Sequence, residues 1–367
     1  MGKRLIILSM VFILFGTQLF GNPKNGFIVK GKLSGYKEST ICLAYIIRGA
    51  QKTDTVQVKE DGSFVINGTI PEPCVAMLFN SKQRLQRLFL LDNSEIRIQG
   101  NIDTPAQITV TGSKSQLEYE MLQTEIQNNR TKVITASEQG EDAGKKGDQI
   151  AQKQYKQLSD SLYRNEKAII LRFIKQHPQS YLSANQLFYT VVEQNLDECK
   201  TLYEALSPNV KQSYVGKEVA ERLETLEKVK IGRSVMDFTQ NDTLGNPVHL
   251  STYKGKYVLL EFWASWCGPC RAEGPNLLKA YEKFKDKGLI IVAVSLDKDA
   301  GLWKKAIKDD HLPWIHVSDL KYSKNEVAQQ YGVHAVPANF LISPDGKIIA
   351  KDLRGEALHE KLAKILN

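Results

Sequence analysis

A chain of 367 residues is too long for one average core, so two or three domains are expected, and its 42% hydrophobic and 25% charged residues are the balance of ordinary globular protein. The net charge of +8 raises nucleic acid as a partner. The lysines of 145–167 are interleaved with acids and no basic-aromatic motif accompanies them, so a solvated basic face is expected and no nucleic acid.

Met1-Gly2-Lys3-Arg4 is a short basic start, followed from Leu5 to Phe15 by an almost unbroken apolar run that ends at Gly16. Residues 1–21 resemble a secretory signal peptide, whose apolar part is too short for a comfortable membrane span. Cleavage near Gly21-Asn22 leaves Leu19 at a position that favours small residues, so an uncleaved N-terminal anchor stays open as the alternative and as the one contact with a membrane. No cysteine is present there to carry a lipid, and no later stretch has the length and apolarity of a transmembrane helix. The compartment expected is the periplasm or cell envelope.

Residues 22–112 read as short strands and turns, an all-β domain of the sandwich kind. Phe27-Ile28-Val29 leads to a glycine-rich turn, and residues 40–47 form a second strand. Val56 and Val58, then Glu60-Asp61-Gly62, then Phe64 and Ile66 predict a hairpin turning at Asp-Gly. Runs at 75–79, 88–91, 95–98 and 107–110 complete the unit, which carries no cluster of candidate catalytic residues. Docking, substrate selection and plain spacing all stay open for it. Cys42 and Cys74 fall here and Cys199 beyond; a Cys42–Cys74 bridge is compatible with an oxidising compartment, but nothing in the spacing enforces a pair, and we read all three as free thiols.

From 113 to 228 the apolar period becomes helical, at Leu117 and Met121, Leu158 and Leu162, and Ile169, Ile170 and Phe173. Residues 139–147, with three glycines, are expected to be a loop. His177-Pro178 and Ser207-Pro208-Asn209 each stop one helix and begin another. Tyr181, Tyr189, Tyr203 and Tyr214 are read as core and rim rather than as a binding groove.

The last region, 229–367, alternates strand and helix, which implies a mixed sheet with helices on both faces. A hairpin of 235–238 and 248–250 opens it, and strands follow at 289–296, 314–317, 339–343 and 347–352 with helices near 301–308, 326–331 and from Glu356. Its most informative stretch begins with the apolar β-forming run from Tyr257 to Trp263, interrupted by Glu261. Ala264-Ser265 loosens the chain before Trp266-Cys267-Gly268-Pro269-Cys270, and helical spacing begins at Arg271. Two cysteines three apart therefore sit at a strand-to-helix junction, Cys267 outermost and Cys270 more buried. The free N–H groups and positive dipole end of the helix stabilise a thiolate there, so the pair forms a redox switch. Zinc would need a second close ligand pair, which the chain lacks; no metal or other cofactor is expected.

The sequence from Trp266 to Cys270 resembles the thioredoxin active site. Glu261 stands where that family has its buried acid, Pro275 where a proline kinks the active-site helix, and Val336-Pro337 where the family has its cis-proline loop. Within the superfamily the resemblance is to the TlpA/ResA-like, AhpC/TSA-related thiol-disulfide oxidoreductases. Glu273 three residues after Cys270, the lead-in from Asp237 to Cys267 and an extra αβ unit before the proline loop carry it, over about residues 230 to 367. The preceding β-rich region resembles the uncharacterised β domain found ahead of thioredoxin-like domains in some envelope proteins.

The resemblance implies a protein-disulfide reductase in which Cys267 attacks and Cys270 resolves. Glu261 is read as the proton acceptor of Cys270, with a strand-end carboxylate reaching water as the alternative. Glu273 is either a first-turn acid complementing its helix or a second acid near the thiols. Trp266 would be the apolar wall beside Cys267, and Val336-Pro337, followed by Ala338 where threonine is common, would offer backbone to an extended substrate. The partners implied are disulfide-containing proteins, cytochrome c haem-site cysteines among them, and a membrane electron-donor thiol-transfer protein. Two alternatives stand beside this reading: a thiol peroxidase of the peroxiredoxin type, although the chain lacks the Pro-x-x-x-Thr-x-x-Cys pattern, and an envelope binding protein with a structural disulfide.

Overall fold

The computed structural model describes residues 26–80, 85–190 and 196–366, so the signal-like segment 1–21 lies outside the described residues. The chain forms two compact units, one of Met1–Val192 with Thr201–Val219 and the other of Glu193–Lys200 with Ala220–Asn367.

The first unit begins with eight strands: β1 (Phe27–Ser34), β2 (Thr40–Ile47), β3 (Ala50–Gln57), β4 (Ser63–Gly68), β5 (Cys74–Phe79), β6 (Gln86–Leu91), β7 (Glu95–Asn101) and β8 (Thr109–Thr111). They make two four-stranded sheets, in the orders β4-β1-β7-β8 and β3-β2-β5-β6. Alternate residues of β1 point inward, and Phe27, Val29 and Leu33 share a core with Leu43, Tyr45, Phe64, Leu78, Phe89 and Ile98. This is the sandwich that the alternation predicts.

The expected hairpin at Asp61-Gly62 is not one. The turn itself is present, with Gly62 at φ +78° and its N–H on the Lys59 carbonyl at 2.9 Å. Yet β3 pairs with β2 and β4 with β1, so the chain passes here from one sheet to the other. The true hairpin joins β2 to β3 through Arg48-Gly49, both at positive φ as a two-residue type I′ turn requires. Its second strand is polar and mostly exposed, which hides it from a search for apolar runs.

Two long helices follow, α1 (Lys114–Lys145) and α2 (Gln149–Gln176). Residues 139–145, expected to be a loop, are the last two turns of α1. Gly140 and Gly144 are tolerated inside the helix because they face α2: a Cβ on Gly140 would lie 3.3 Å from Tyr155 Cβ, and one on Gly144 2.5 Å from Gln152 Nε2. The pair is antiparallel, with Asn129 Nδ2 donating to the Leu162 carbonyl at 2.9 Å and Arg130 forked onto Glu166 at 2.8 and 2.6 Å.

The shorter helices are α3 (Tyr181–Thr190), α4 (Leu196–Ala205), α5 (Pro208–Gln212) and α6 (Tyr214–Lys228); α3 and α5 start at the His177-Pro178 and Ser207-Pro208 breaks read from sequence. Tyr181, Tyr189 and Tyr214, expected in core and rim, instead line with Tyr45 and Phe188 a cleft of about 660 Å³ in the first unit. Among the described residues, Cys42, Cys74 and Cys199 are in no disulfide. Cys42 pairs with Phe79 on β5, five residues from Cys74, a separation of about 16 Å along a strand that no disulfide spans.

The second unit opens with the hairpin of β9 (Thr239–Asn241) and β10 (Pro247–His249); its first strand lies just beyond the expected 235–238, which are coil. Then come β11 (Tyr257–Trp263), α7 (Gly268–Phe284), β12 (Leu289–Ser295), α8 (Ala300–Asp309), β13 (Ile315–Val317), α9 (Glu326–Gln330), β14 (Ala338–Ile342), β15 (Ile348–Lys351) and α10 (Gly355–Leu366). The sheet runs β13-β12-β11-β14-β15, with β12 parallel to β11 and to β13, and β14 antiparallel to both β11 and β15. Residues 258–263 of β11 are all buried, so both faces of the central strand are covered.

Candidate active site

The site forms where β11 ends and α7 begins. Cys267 is the N-cap of α7 with extended backbone, φ −84° and ψ 98°, and its Sγ accepts from the Cys270 N–H at 3.1 Å. Pro269, in the first turn, lacks an N–H that the helix could not have used. Cys267 and Cys270 form a disulfide across a Cα–Cα distance of 5.3 Å. The sequence placed Cys267 outermost; in this disulfide form it is buried to the same degree as Cys270, at 4% and 3% exposure. Its sulfur lies against the proline loop, 3.6 Å from the Val336 carbonyl oxygen.

The Val336-Pro337 bond is cis, as the loop was expected to hold it, and the Arg354 guanidinium donates to the Pro337 carbonyl. Trp266, adjacent to Cys267, is 53% exposed, with its ring 5.4 Å from that of Tyr322. Pro275 lies inside α7 on an exposed position.

Glu261 sits mid-strand on β11, opposite Ala293 of β12 and Asn339 of β14, and is 6% exposed. Burial, and secondarily the charge of Glu273, pushes its carboxyl up to about 8, so the acid is neutral through most of the physiological range. This removes the reading of Glu261 as a carboxylate reaching water. Glu273 is half-buried and its Oε1 accepts from the Gly355 N–H at 2.9 Å and from Asn276 Nδ2 at 2.6 Å. It therefore caps the start of α10 rather than the helix that carries it, while its charge is still felt by Glu261. Asn276 extends this network to His359, whose Nε2 is 2.8 Å from Asn276 Oδ1.

Sequence reading missed the residues that hold the loop ahead of the cysteines. Asp297, 2% exposed, accepts from the Ser265 N–H at 2.9 Å, the Ser265 hydroxyl at 2.6 Å and the Ser295 hydroxyl at 2.7 Å. Arg271 donates to the Ser265 carbonyl at 3.3 Å and to Asp310 at the end of α8. No local signal marks them, because they meet only through the parallel pairing of Trp263 with Ser295, which brings the segments after β11 and β12 side by side.

Residues 231–351 match the AhpC/TSA family, and residues 27–119 match a domain of unknown function, DUF4369. The thiol-disulfide oxidoreductase ResA of Bacillus thuringiensis subsp. konkukian (strain 97-27) is 36% identical over 140 residues, covering 38% of this chain and 79% of that protein. ResA of Bacillus subtilis (strain 168) is 34% identical over 123 residues, covering 34% of this chain and 67% of the relative. Among solved structures, the thioredoxin domain of a thiol-disulfide oxidoreductase from Bacteroides vulgatus is 42% identical and covers 38% of this chain and 99% of its own, with a TM-score of 0.36. With a buried dithiol at the head of a helix in a mixed five-stranded sheet, and with this identity to ResA over most of the relative's length, the chain belongs to the ResA-like thiol-disulfide oxidoreductases of the thioredoxin-like AhpC/TSA family.

Proposed function

We propose that the protein is exported and reduces protein disulfides in the cell envelope, cytochrome c haem-site cysteines among them. The observation that carries this reading is the Cys267–Cys270 pair at the N-terminus of α7, with the Val336 carbonyl 3.6 Å from Cys267 Sγ, beside backbone that an extended substrate strand would follow. The signal-like residues 1–21 support export.

In the reduced protein the Cys267 thiolate attacks one sulfur of a substrate disulfide. A mixed disulfide forms, the substrate S–S bond breaks, and the departing sulfur takes a proton from water. Cys270 passes its proton to the ionised fraction of Glu261, attacks Cys267 Sγ and releases the second substrate thiolate. Two electrons have then moved to the substrate and the Cys267–Cys270 disulfide remains. A carboxyl raised to about 8 is suited to this transfer, because its basicity approaches that of a thiolate. Trp266 supplies the apolar wall, Val336 and Pro337 receive the substrate backbone, and Glu273 raises the proton affinity of Glu261 through its charge. A membrane thiol-transfer protein returns the electrons.

Insulin reduction by the protein and by Cys267→Ser tests the proposal. Loss of the reaction in the variant is expected; equal rates would remove the enzymatic role of this cysteine. A redox potential near that of thioredoxin, about −270 mV, supports the reductase direction, whereas one near −120 mV would make the protein an oxidant. Turnover of hydroperoxide in place of insulin would favour the peroxidase alternative.

A further inference from the structure

We propose that Asp297 is a positioning residue for the dithiol: by holding Ser265, two residues ahead of Cys267, it sets the reactivity of the Cys267 sulfur. The inference rests on the reading of Cys267 as the attacking thiol.

A carboxylate with 2% exposure is costly to keep unless its oxygens are hydrogen-bonded. Asp297 accepts three hydrogen bonds, two of them from Ser265. One oxygen takes the Ser265 N–H and the Ser295 hydroxyl, and the other takes the Ser265 hydroxyl. The Asp297 N–H returns a bond to Ser295 Oγ at 3.0 Å, which fixes the carboxylate to the end of β12. The Ser265 carbonyl is held from the opposite side by Arg271, the residue after Cys270, itself bonded to Asp310. Every polar atom of Ser265 is thus taken by groups outside its own loop. The backbone then has a fixed route from the Trp263 carbonyl, which accepts from the Leu296 N–H at 2.9 Å, to the Cys267 N–H on the Ala264 carbonyl at 3.1 Å.

That route decides where the sulfur sits. A thiolate gains from a helix N-terminus only within the first turn and only while it lies on the free N–H groups, as Cys267 Sγ does on the Cys270 N–H. A loosened loop moves the sulfur off those groups and raises its pKa. The negative charge of Asp297 acts in the opposite sense, since a nearby anion disfavours a thiolate. Position and charge therefore predict opposite signs when the carboxylate is altered.

The experiment measures the thiol pKa of Cys267 in the reduced full-length protein from its alkylation rate against pH, together with the potential of the Cys267/Cys270 couple. Wild type is compared with Ser265→Ala, Ser265→Thr and Asp297→Asn. Ser265→Ala keeps the charge and loses the hydroxyl bond; its Cys267 pKa is expected to rise by about half a unit, slowing alkylation at pH 7 about threefold and making the potential less oxidising. Ser265→Thr, which keeps a hydroxyl, should restore both values. Asp297→Asn, whose amide can still bond Ser265 but which lacks the charge, should leave the pKa unchanged or lower it. An unchanged pKa and potential in Ser265→Ala, even with a lowered melting temperature, would reduce the network to a structural role and overturn the proposal. So would a lowered Cys267 pKa in Ser265→Ala, which keeps the charge and loses only the bond. A wild-type Cys267 no more reactive than a free cysteine would instead defeat the nucleophile assignment, a result visible without any variant.

Discussion

Glu261→Gln should stabilise the catalytic unit increasingly as pH rises. The side chain is 6% exposed, and its carboxyl is raised from an ordinary 4.5 to about 8. Below pH 4.5 both folded and unfolded chains hold the proton and Glu261 contributes no pH dependence. Between 4.5 and 8 the unfolded chain gives the proton up while the folded one keeps it, so stability falls as pH rises. A difference of about 3.5 units corresponds to roughly 5 kcal/mol above pH 8 and about 3 kcal/mol at pH 7. Glutamine has nearly the same volume and cannot ionise, so Glu261→Gln should lose this slope. Urea unfolding of the oxidised proteins at pH 4.5, 7 and 9 measures it, followed by tryptophan fluorescence because all four tryptophans lie in the second unit. The stability gap between variant and wild type should widen by a few kcal/mol across the series. A gap constant with pH would show that Glu261 titrates normally, and the proton-acceptor role would go with it. If that role holds, the variant should also release mixed disulfides more slowly while Cys267 alkylates at the wild-type rate.

His316 provides a second pH test of opposite sign: it is 5% exposed, packed between Trp263 and Trp314, and burial depresses its imidazole to about 4. Between pH 6.5 and 4 the unfolded chain takes up a proton that the folded chain refuses, so acidification should cost about 3 kcal/mol that His316→Phe does not lose, as read from acid unfolding curves of the two proteins. In the first unit, a Cβ on Gly31 would fall 1.9 Å from the Phe64 ring, directly across the β1–β4 ladder. Gly31→Ala should therefore destabilise that unit by about 2 kcal/mol or more, and an unchanged melting temperature would show that the ring does not lie over the glycine.

The sequence by itself determined the parts of this protein whose causes are local. The apolar run of β11, the loosening at Ala264-Ser265, Pro269 and the helical spacing after it are neighbours in the chain, so the dithiol's place at a strand-to-helix junction could be read directly. Tertiary structure decided whatever depends on a distant partner. The Asp61-Gly62 turn is correctly a turn, but only sheet assembly determines that its strands join different ladders. The glycines of 139–147 suggest a loop until α2 packs against them and the helix continues. Asp297 reaches Ser265 only because two parallel strands end together, and Glu261 holds its proton only because the sheet is covered on both faces. A hydrogen-bond partner or a desolvated carboxyl is a property of the packed core, to which residues far apart in the chain contribute together, and no window of sequence contains it.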